Sequence, residues 1–307
     1  MPGGLILLAG PTASGKSILA MRLALRIDDA VIVNADSMQV YRELRIITAR
    51  PSIADEVRVS HRLYGVIRAA ERFSVGAWRT RVGAEIEAAD RAGRTAILVG
   101  GTGLYFRALL EGLAPIPRTP DAVRMRVRQQ YAALGHEAFR AELAKNDAVS
   151  AARLTDPQRL IRATEVLEAT GIALPAWQSG PREGALARPP IAKIVLAPPR
   201  AEVYERCDRR YLHVVASGGL DEAAEIRARR LDPSLPAMRA LGLPDLLRYL
   251  RGDISLNDAV AGGQRAIRHY AKRQYTWFRH QAADWNRLEA GGSDVDAAAV
   301  VDLIAAG

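Results

Sequence analysis

The chain has 307 residues, enough for one large domain or a core with an insertion, and too many for a small peptide-like module. Its 43 Lys and Arg against 34 Asp and Glu leave a net charge of +9, which either attracts a polyanion such as nucleic acid or reflects arginine-rich codon usage. The single cysteine, Cys207, excludes an intramolecular disulfide, and no Cys/His set has zinc-ligand spacing.

The opening MPGGLILLAG is too short an apolar run to span a membrane and lacks the basic flank of a signal peptide, so a soluble cytoplasmic protein is expected. Strand-like runs at Leu5–Ala9, Ala30–Asn34 and Thr95–Val99 alternate with helical periodicity, the rhythm of a parallel sheet. Thr119 with Pro120 reads as a helix cap and first turn with Gly135 as a stop, and Asp156 with Pro157 repeats the device up to Gly171. The aperiodic PAWQSGPREGALARPP, Pro175–Pro190, reads as a mobile linker containing Trp177. A further run at Ala192–Ala197, bounded by prolines, resumes the sheet. The expected class is α/β: a P-loop NTPase-like parallel core over 1–118 and 189–307, flanked by helices, with a small all-helical insertion over 119–188.

LILLAGPTASGKS carries an apolar strand into the spacing G-x-x-x-x-G-K-S. Gly10, Pro11, Thr12, Ala13, Ser14, Gly15, Lys16 and Ser17 therefore form a phosphate-binding loop: backbone N–H groups turn inward, the next helix adds its positive end, Lys16 a charge and Ser17 an oxygen for Mg²⁺. Phosphoryl transfer also needs an acid at a strand end, yet TAILVG runs into Gly100, Gly101, Thr102 and Gly103. The carboxylate comes instead from VIVNADSMQVY, whose Asp36 follows the strand on the sheet edge where ligands bind. A magnesium ligand, a general base and the cap of a following helix are all consistent with Asp36, and the base is favoured. The glycine-rich turn at Thr102 fits either a close substrate approach or a tight connection.

Near the C-terminus, RAIRHYAKRQYTWFRH places Ile267, Tyr270, Ala271, Gln274, Trp277 and Phe278 on one helix face and Arg265, Arg268, His269, Lys272 and Arg273 on the other, with no acid between Arg265 and His280. Arg268 and Lys272 are read as phosphate-backbone contacts, and Arg124, Arg126, Arg128, Arg159 and Arg162 extend the positive charge into the insertion. His61, His136 and His213 belong to no ligand pattern.

GPTASGKS, NADSMQVYRELRIITARP, HRLYG, LVGGTGLYFRALLEGL, DPQRLIRATEVLEATG and AKRQYTWFR occur in one chain in this order, and together they resemble the tRNA dimethylallyltransferase (tRNA isopentenyltransferase) family, bacterial type, over nearly the whole length. The resemblance implies transfer of a dimethylallyl group from dimethylallyl diphosphate to N6 of the adenosine 3′ of the tRNA anticodon, position 37, with Mg²⁺ present. The loop then holds a diphosphate, although its motif alone permits ATP. Asp36 looks like the base and Thr102 its partner, while Lys16, Ser17 and Arg210, beside Arg209, neutralise the departing diphosphate. Asp36, Ser37, Met38 and Gln39, then Gln158, Arg159, Leu160, Ile161 and Arg162, then Arg239 to Pro244, including Gly242, match tRNA-contacting stretches, and the target base would be flipped out. Two positions depart from the family: Ile47 stands where it has Gly, and Leu243 where it has an aromatic suited to stacking. A monomer is the default. The rival readings are an adenylate isopentenyltransferase acting on AMP, a P-loop small-molecule kinase, and a nucleic-acid-binding module without catalysis.

Overall fold

The structure, a computed structural model, describes residues 3–306. Six parallel strands, β1 (Leu5–Ala9), β2 (Ala30–Asn34), β3 (Ser60–Arg62), β4 (Thr95–Gly100), β5 (Ala192–Leu196) and β6 (Asn286–Leu288), form one sheet in the order β3-β2-β4-β1-β5-β6. Every residue of β1, β2 and β4 is buried. That burial explains their unbroken apolar sequences, because helices cover both faces of a parallel sheet. The register pairs Ala9 with Gly100 and Asn34 with Val99, which brings the loops after β1, β2 and β4 to one edge.

One apolar cluster joins Ile6, Leu8, Ile32, Ile97 and Ile194 of the strands to Leu19 and Leu23 of the helix Lys16–Ala24 and to Val300 and Ile304 of the helix Ala297–Ala306. A second cluster packs Val40, Tyr41 and Leu44 against Val203, Cys207 and Tyr211 of the helix Arg200–Val214, and against Ile267 and Ala271 of the helix Leu256–Gln281. The Trp78 ring stacks on Tyr105 with centroids 4.2 Å apart. Burying each of these aromatic side chains contributes on the order of 2 kcal/mol.

The chain divides into two compact units, Met1–Ala108 with Ala187–Gly307, and Leu109–Leu186. The second is helical, with Val127, Phe139, Leu143, Leu160 and Ile161 at its centre. Its helix Asp121–Ala144 kinks at Gly135, where φ is 75°. Asp156 caps the helix Pro157–Thr170 by accepting the Arg159 N–H, and Gly171, at φ 70°, ends it. Thr119 departs from the sequence expectation: the first helix has no side-chain cap, and the Thr119 hydroxyl instead accepts a 2.8 Å hydrogen bond from Arg162 Nη1. Within the Pro-rich stretch, Leu174–Ser179 is a short helix, and Trp177 Nε1 donates to Thr170 Oγ1 at 3.3 Å. Leu113 and Glu183 pair by two backbone hydrogen bonds and close the unit.

β3 and β6 were not foreseen. Each has three residues, too few for periodicity to register, and neither is apolar throughout. Among the described residues no helix is long and apolar enough to cross a membrane.

Candidate active site

The loop after β1 folds back on itself. Pro11 O accepts from Ser14 N at 3.2 Å and from Lys16 Nζ at 3.2 Å. Ala13 and Gly15 take positive φ values of 61° and 87°, which turns successive N–H groups toward the hollow of the loop. The helix that starts at Lys16 carries no acid in its first turn, so its positive end meets the hollow undiminished.

Thr12, Ala13, Gly15, Lys16 and Ser17 line a cleft of about 390 Å³ together with Asp36, Gln39, Thr48, Ala49, Arg206, Arg210 and Ser293. Gly10, Pro11 and Ser14 of the predicted loop are buried and do not line it, and the Ser14 hydroxyl has no hydrogen-bond partner among the described residues. Arg210 reaches the cleft from the helix Arg200–Val214 and donates from Nη2 to Thr12 Oγ1 at 2.6 Å. Arg209 is exposed and absent from the lining, so of the two neighbouring arginines Arg210 is the one that faces the cleft. Burial pulls the Lys16 ammonium down to about 8, opposed by Asp36 and reinforced by Arg210. Burial lowers the Arg210 guanidinium too, while Cys207 and Asp36 counter it. A cleft that holds two desolvated cations against one carboxylate is built for an anion.

Asp36 sits past the end of β2 in a turn that leaves it no helix to cap. Its Oδ1 accepts from Met38 N at 2.9 Å, and no hydrogen bond reaches Oδ2 from the described residues. The turn is fixed by Asn34, which is fully buried. Asn34 Oδ1 accepts from Asp36 N at 2.8 Å, and Nδ2 donates to Asp36 O and Leu63 O at 2.9 and 3.1 Å. Trp78 Nε1 in turn donates to Asn34 O at 2.9 Å. Thr102 lies behind the same turn: its Oγ1 accepts from Ser37 N at 3.0 Å and donates to Ser37 Oγ at 3.3 Å. Burial, reinforced by Asp36, raises the Tyr270 phenol.

Gln274 was missed as a functional residue because it falls on the apolar stripe of its helix. Its Oε1 accepts from Thr12 N at 2.8 Å and its Nε2 donates to Gly101 O at 2.7 Å, so a single buried amide ties the phosphate loop to the turn after β4. A polar side chain within an apolar face was the available signal, since a buried amide needs partners.

Other predicted residues are dispersed. Gln39 lines the cleft and donates to Thr48 O and Ala49 O, both at 3.0 Å. Leu160 and Ile161 are buried in the helical unit, so the polar groups of that stretch are Gln158, Arg159 and Arg162. Gly242 is a backbone requirement: its φ is 84°, its carbonyl accepts from Tyr211 OH at 3.0 Å, and a Cβ there would lie 2.3 Å from the Tyr211 ring. Arg239 and Lys272 are exposed, whereas Arg268 pairs with Asp208. Ile47 and Leu243 are both buried, so neither departure alters an exposed surface. His61 bonds Val59 O, His136 meets Tyr131, and His213 meets Ser217; no group of three or more His, Cys, Asp or Glu that could hold a metal occurs among the described residues.

Residues 39–281 match the profile of the family described as IPP transferase. The chain belongs to the IPP transferase family. It is 51% identical over 291 residues to a tRNA dimethylallyltransferase of Rhodospirillum centenum, covering 93% of this chain and 91% of that protein. A second tRNA dimethylallyltransferase, from Methylobacterium sp. strain 4-46, is 51% identical over 302 residues, covering 95% and 98%. Among solved structures, the full-length tRNA isopentenylpyrophosphate transferase of Bacillus halodurans superposes with a TM-score of 0.70 at 31% identity, covering 99% of this chain and 96% of that one. Family membership fits a phosphate loop whose neighbouring strand β4 supplies no carboxylate.

Proposed function

We propose that this chain is a tRNA dimethylallyltransferase, which moves a dimethylallyl group from its diphosphate to N6 of the adenosine 3′ of the anticodon. The observation that carries the reading is the pairing of opposites in one cleft: Lys16 and Arg210 at the phosphate loop, and Asp36 beyond β2 with one carboxylate oxygen unengaged. The named relatives support tRNA over free AMP as acceptor, and β4, lacking a terminal acid, counts against a kinase.

In this reading the diphosphate lies in the loop, where Ala13, Gly15, Lys16 and Ser17 present N–H groups to it, those of Thr12 and Ser14 being taken by Gln274 Oε1 and Pro11 O. The N6 amine attacks the allylic carbon; a C–N bond forms, the C–O bond to diphosphate breaks, and Asp36 accepts the amine proton. Thr102 holds the Asp36–Ser37 turn in register, and Lys16 and Arg210 take up the charge of the departing diphosphate. The Ser17 hydroxyl, exposed at the first turn beside the cleft, would hold a Mg²⁺ there. When bound, the ion would neutralise further charge on the leaving group. The tRNA would be gripped through phosphates by Arg124, Arg159 and Arg162 of the helical unit and by Arg239 and Lys272 of the other.

Asp36→Asn keeps the acceptor for Met38 N and removes the base. It should lower the single-turnover rate by about 10²–10⁴-fold while tRNA affinity stays within about twofold. The readout is radiolabelled dimethylallyl diphosphate offered with unmodified tRNA or with AMP. Label in AMP alone would refute the acceptor, and an equal loss of tRNA binding by the variant would refute the role of Asp36.

A further inference from the structure

Arg206 lies one helical turn before Arg210, so both project from the same face of the helix Arg200–Val214, and both line the cleft. Its Nη2 bonds to Glu202 Oε2 at 3.2 Å and to Asp294 Oδ2 at 3.3 Å. Nε and Nη1 make no hydrogen bond with any described residue. The side chain keeps about a quarter of its exposure. A guanidinium with an Nη2 anchored by two carboxylates, and its remaining N–H donors unspent, is held in place but not satisfied.

The loop after β6 supplies the anchor. Gly292 N donates to Ser14 O at 2.9 Å, and a Cβ on Gly292 would lie 2.0 Å from Gly15 O, so this loop rests directly on the phosphate loop. Arg22 Nη1 fastens it from below through Ser293 O at 3.0 Å and Val295 O at 2.7 Å. A Cβ at Gly291 would lie 2.1 Å from Arg206 Nη1, so the missing side chain there leaves the space that the guanidinium fills. Four separate features, Glu202, Asp294, Gly291 and the clamp by Arg22, thus converge on the placement of one cation at the rim of an anion cleft.

We infer that Arg206 is a further diphosphate-binding residue, a second guanidinium beside Arg210, with Glu202 and Asp294 as its positioning residues. This rests on the reading of the cleft as a diphosphate site. Lys16 and Arg210 leave oxygens of a diphosphate without a donor, and Arg206, its charge balanced by Glu202 and Asp294, supplies its unspent Nε–H and Nη1–H donors on the side opposite Asp36's strand. Its N–H groups would meet phosphate oxygens of the bound donor and of the product diphosphate alike.

The test is calorimetric titration of the full chain with inorganic diphosphate and Mg²⁺, without tRNA. Arg206→Gln should weaken diphosphate binding by about tenfold or more, with Arg206→Lys between it and the parent, because the charge survives but the several fixed N–H donors of the guanidinium do not. Arg209→Gln, which removes the same charge from an exposed site outside the cleft, should change the affinity by less than about twofold. Arg206→Gln should leave tRNA affinity unaltered. Diphosphate affinity within twofold of the parent in Arg206→Gln, alongside a large loss in Lys16→Gln, would overturn the assignment while leaving the cleft's function intact. Undiminished binding in Lys16→Gln would overturn both. If Arg206→Gln does not fold, Arg206→Lys decides alone: a loss of about threefold or more supports the assignment, and an unchanged affinity overturns it.

Discussion

Diphosphate affinity should depend on pH through Lys16. Burial holds this ammonium at about 8 in the free cleft, against an ordinary 10.5. A bound diphosphate supplies the counter-charge that burial denies, so the pKa of Lys16 in the complex returns toward its ordinary value. Binding is then strongest where Lys16 is already protonated, below about pH 8. It weakens above that as the proton must be taken up, by about 1.4 kcal/mol for each pH unit. Between pH 7 and pH 9 the Lys16 contribution should fall by about tenfold, and at pH 9 binding should take up about 0.9 proton. Titrations of inorganic diphosphate in two buffers of different ionisation enthalpy measure both quantities. Diphosphate itself ionises further at high pH, which acts in the opposite direction. The comparison is therefore with Lys16→Gln in the same buffers, which removes the Lys16 component and leaves the ligand's own. A parent and variant with the same pH slope, or with the same proton uptake at pH 9, would refute the picture of a desolvated lysine recharged by its ligand.

Gln274→Leu strands the Thr12 N–H and the Gly101 carbonyl in the interior and should cost about 1–3 kcal/mol in urea unfolding, with diphosphate affinity falling as the phosphate loop loses its tether. Lys272→Ala should reduce the slope of log K for tRNA against log salt by about 0.7–0.9. Arg268→Ala should reduce it by less, because its charge is already committed to Asp208; equal slopes would refute that distinction. Leu243→Tyr places an aromatic at a position with no exposure, so it should lower stability by about 1–3 kcal/mol without raising tRNA affinity, and a gain in affinity would show that the position reaches the RNA.

The central strands were legible because burial on both faces demands continuous apolar sequence, and β1 and β2 have the limits read from it. The phosphate loop was legible because its chemistry is local, spelled out within Gly10–Ser17. What escaped was set by residues distant in sequence. Arg268 looked like a phosphate contact on a basic helix face, yet Asp208, sixty positions earlier, takes its charge. Thr119 carries the composition of a cap, but Arg162 claims its hydroxyl. Leu160 and Ile161 matched a tRNA-contacting stretch as a block, while the helical period turns these two inward. Asn34 ended an apolar strand without comment, although a buried amide there must be spending its donors and acceptor on neighbouring backbone.

The glycines after β4 explain why the carboxylate stands on β2. A Cβ at Gly101 would lie 2.1 Å from Gln274 Nε2, and one at Gly103 would lie 2.3 Å from the Trp277 ring, so side chains of the helix Leu256–Gln281 fill the position where an acid would otherwise project. The sheet order β2-β4-β1 then puts Asp36 two strands from the phosphate loop. At about 4.8 Å per strand that is a separation of about 10 Å. A carboxylate on β4 would sit one strand spacing nearer the loop, where phosphoryl transfer calls for an acid that helps hold a metal. In the proposed function, Asp36 on β2 therefore leaves the sheet edge between itself and the loop to the acceptor amine and the allylic carbon, with the diphosphate in the loop, an order that suits alkyl transfer better than hydrolysis of a nucleotide.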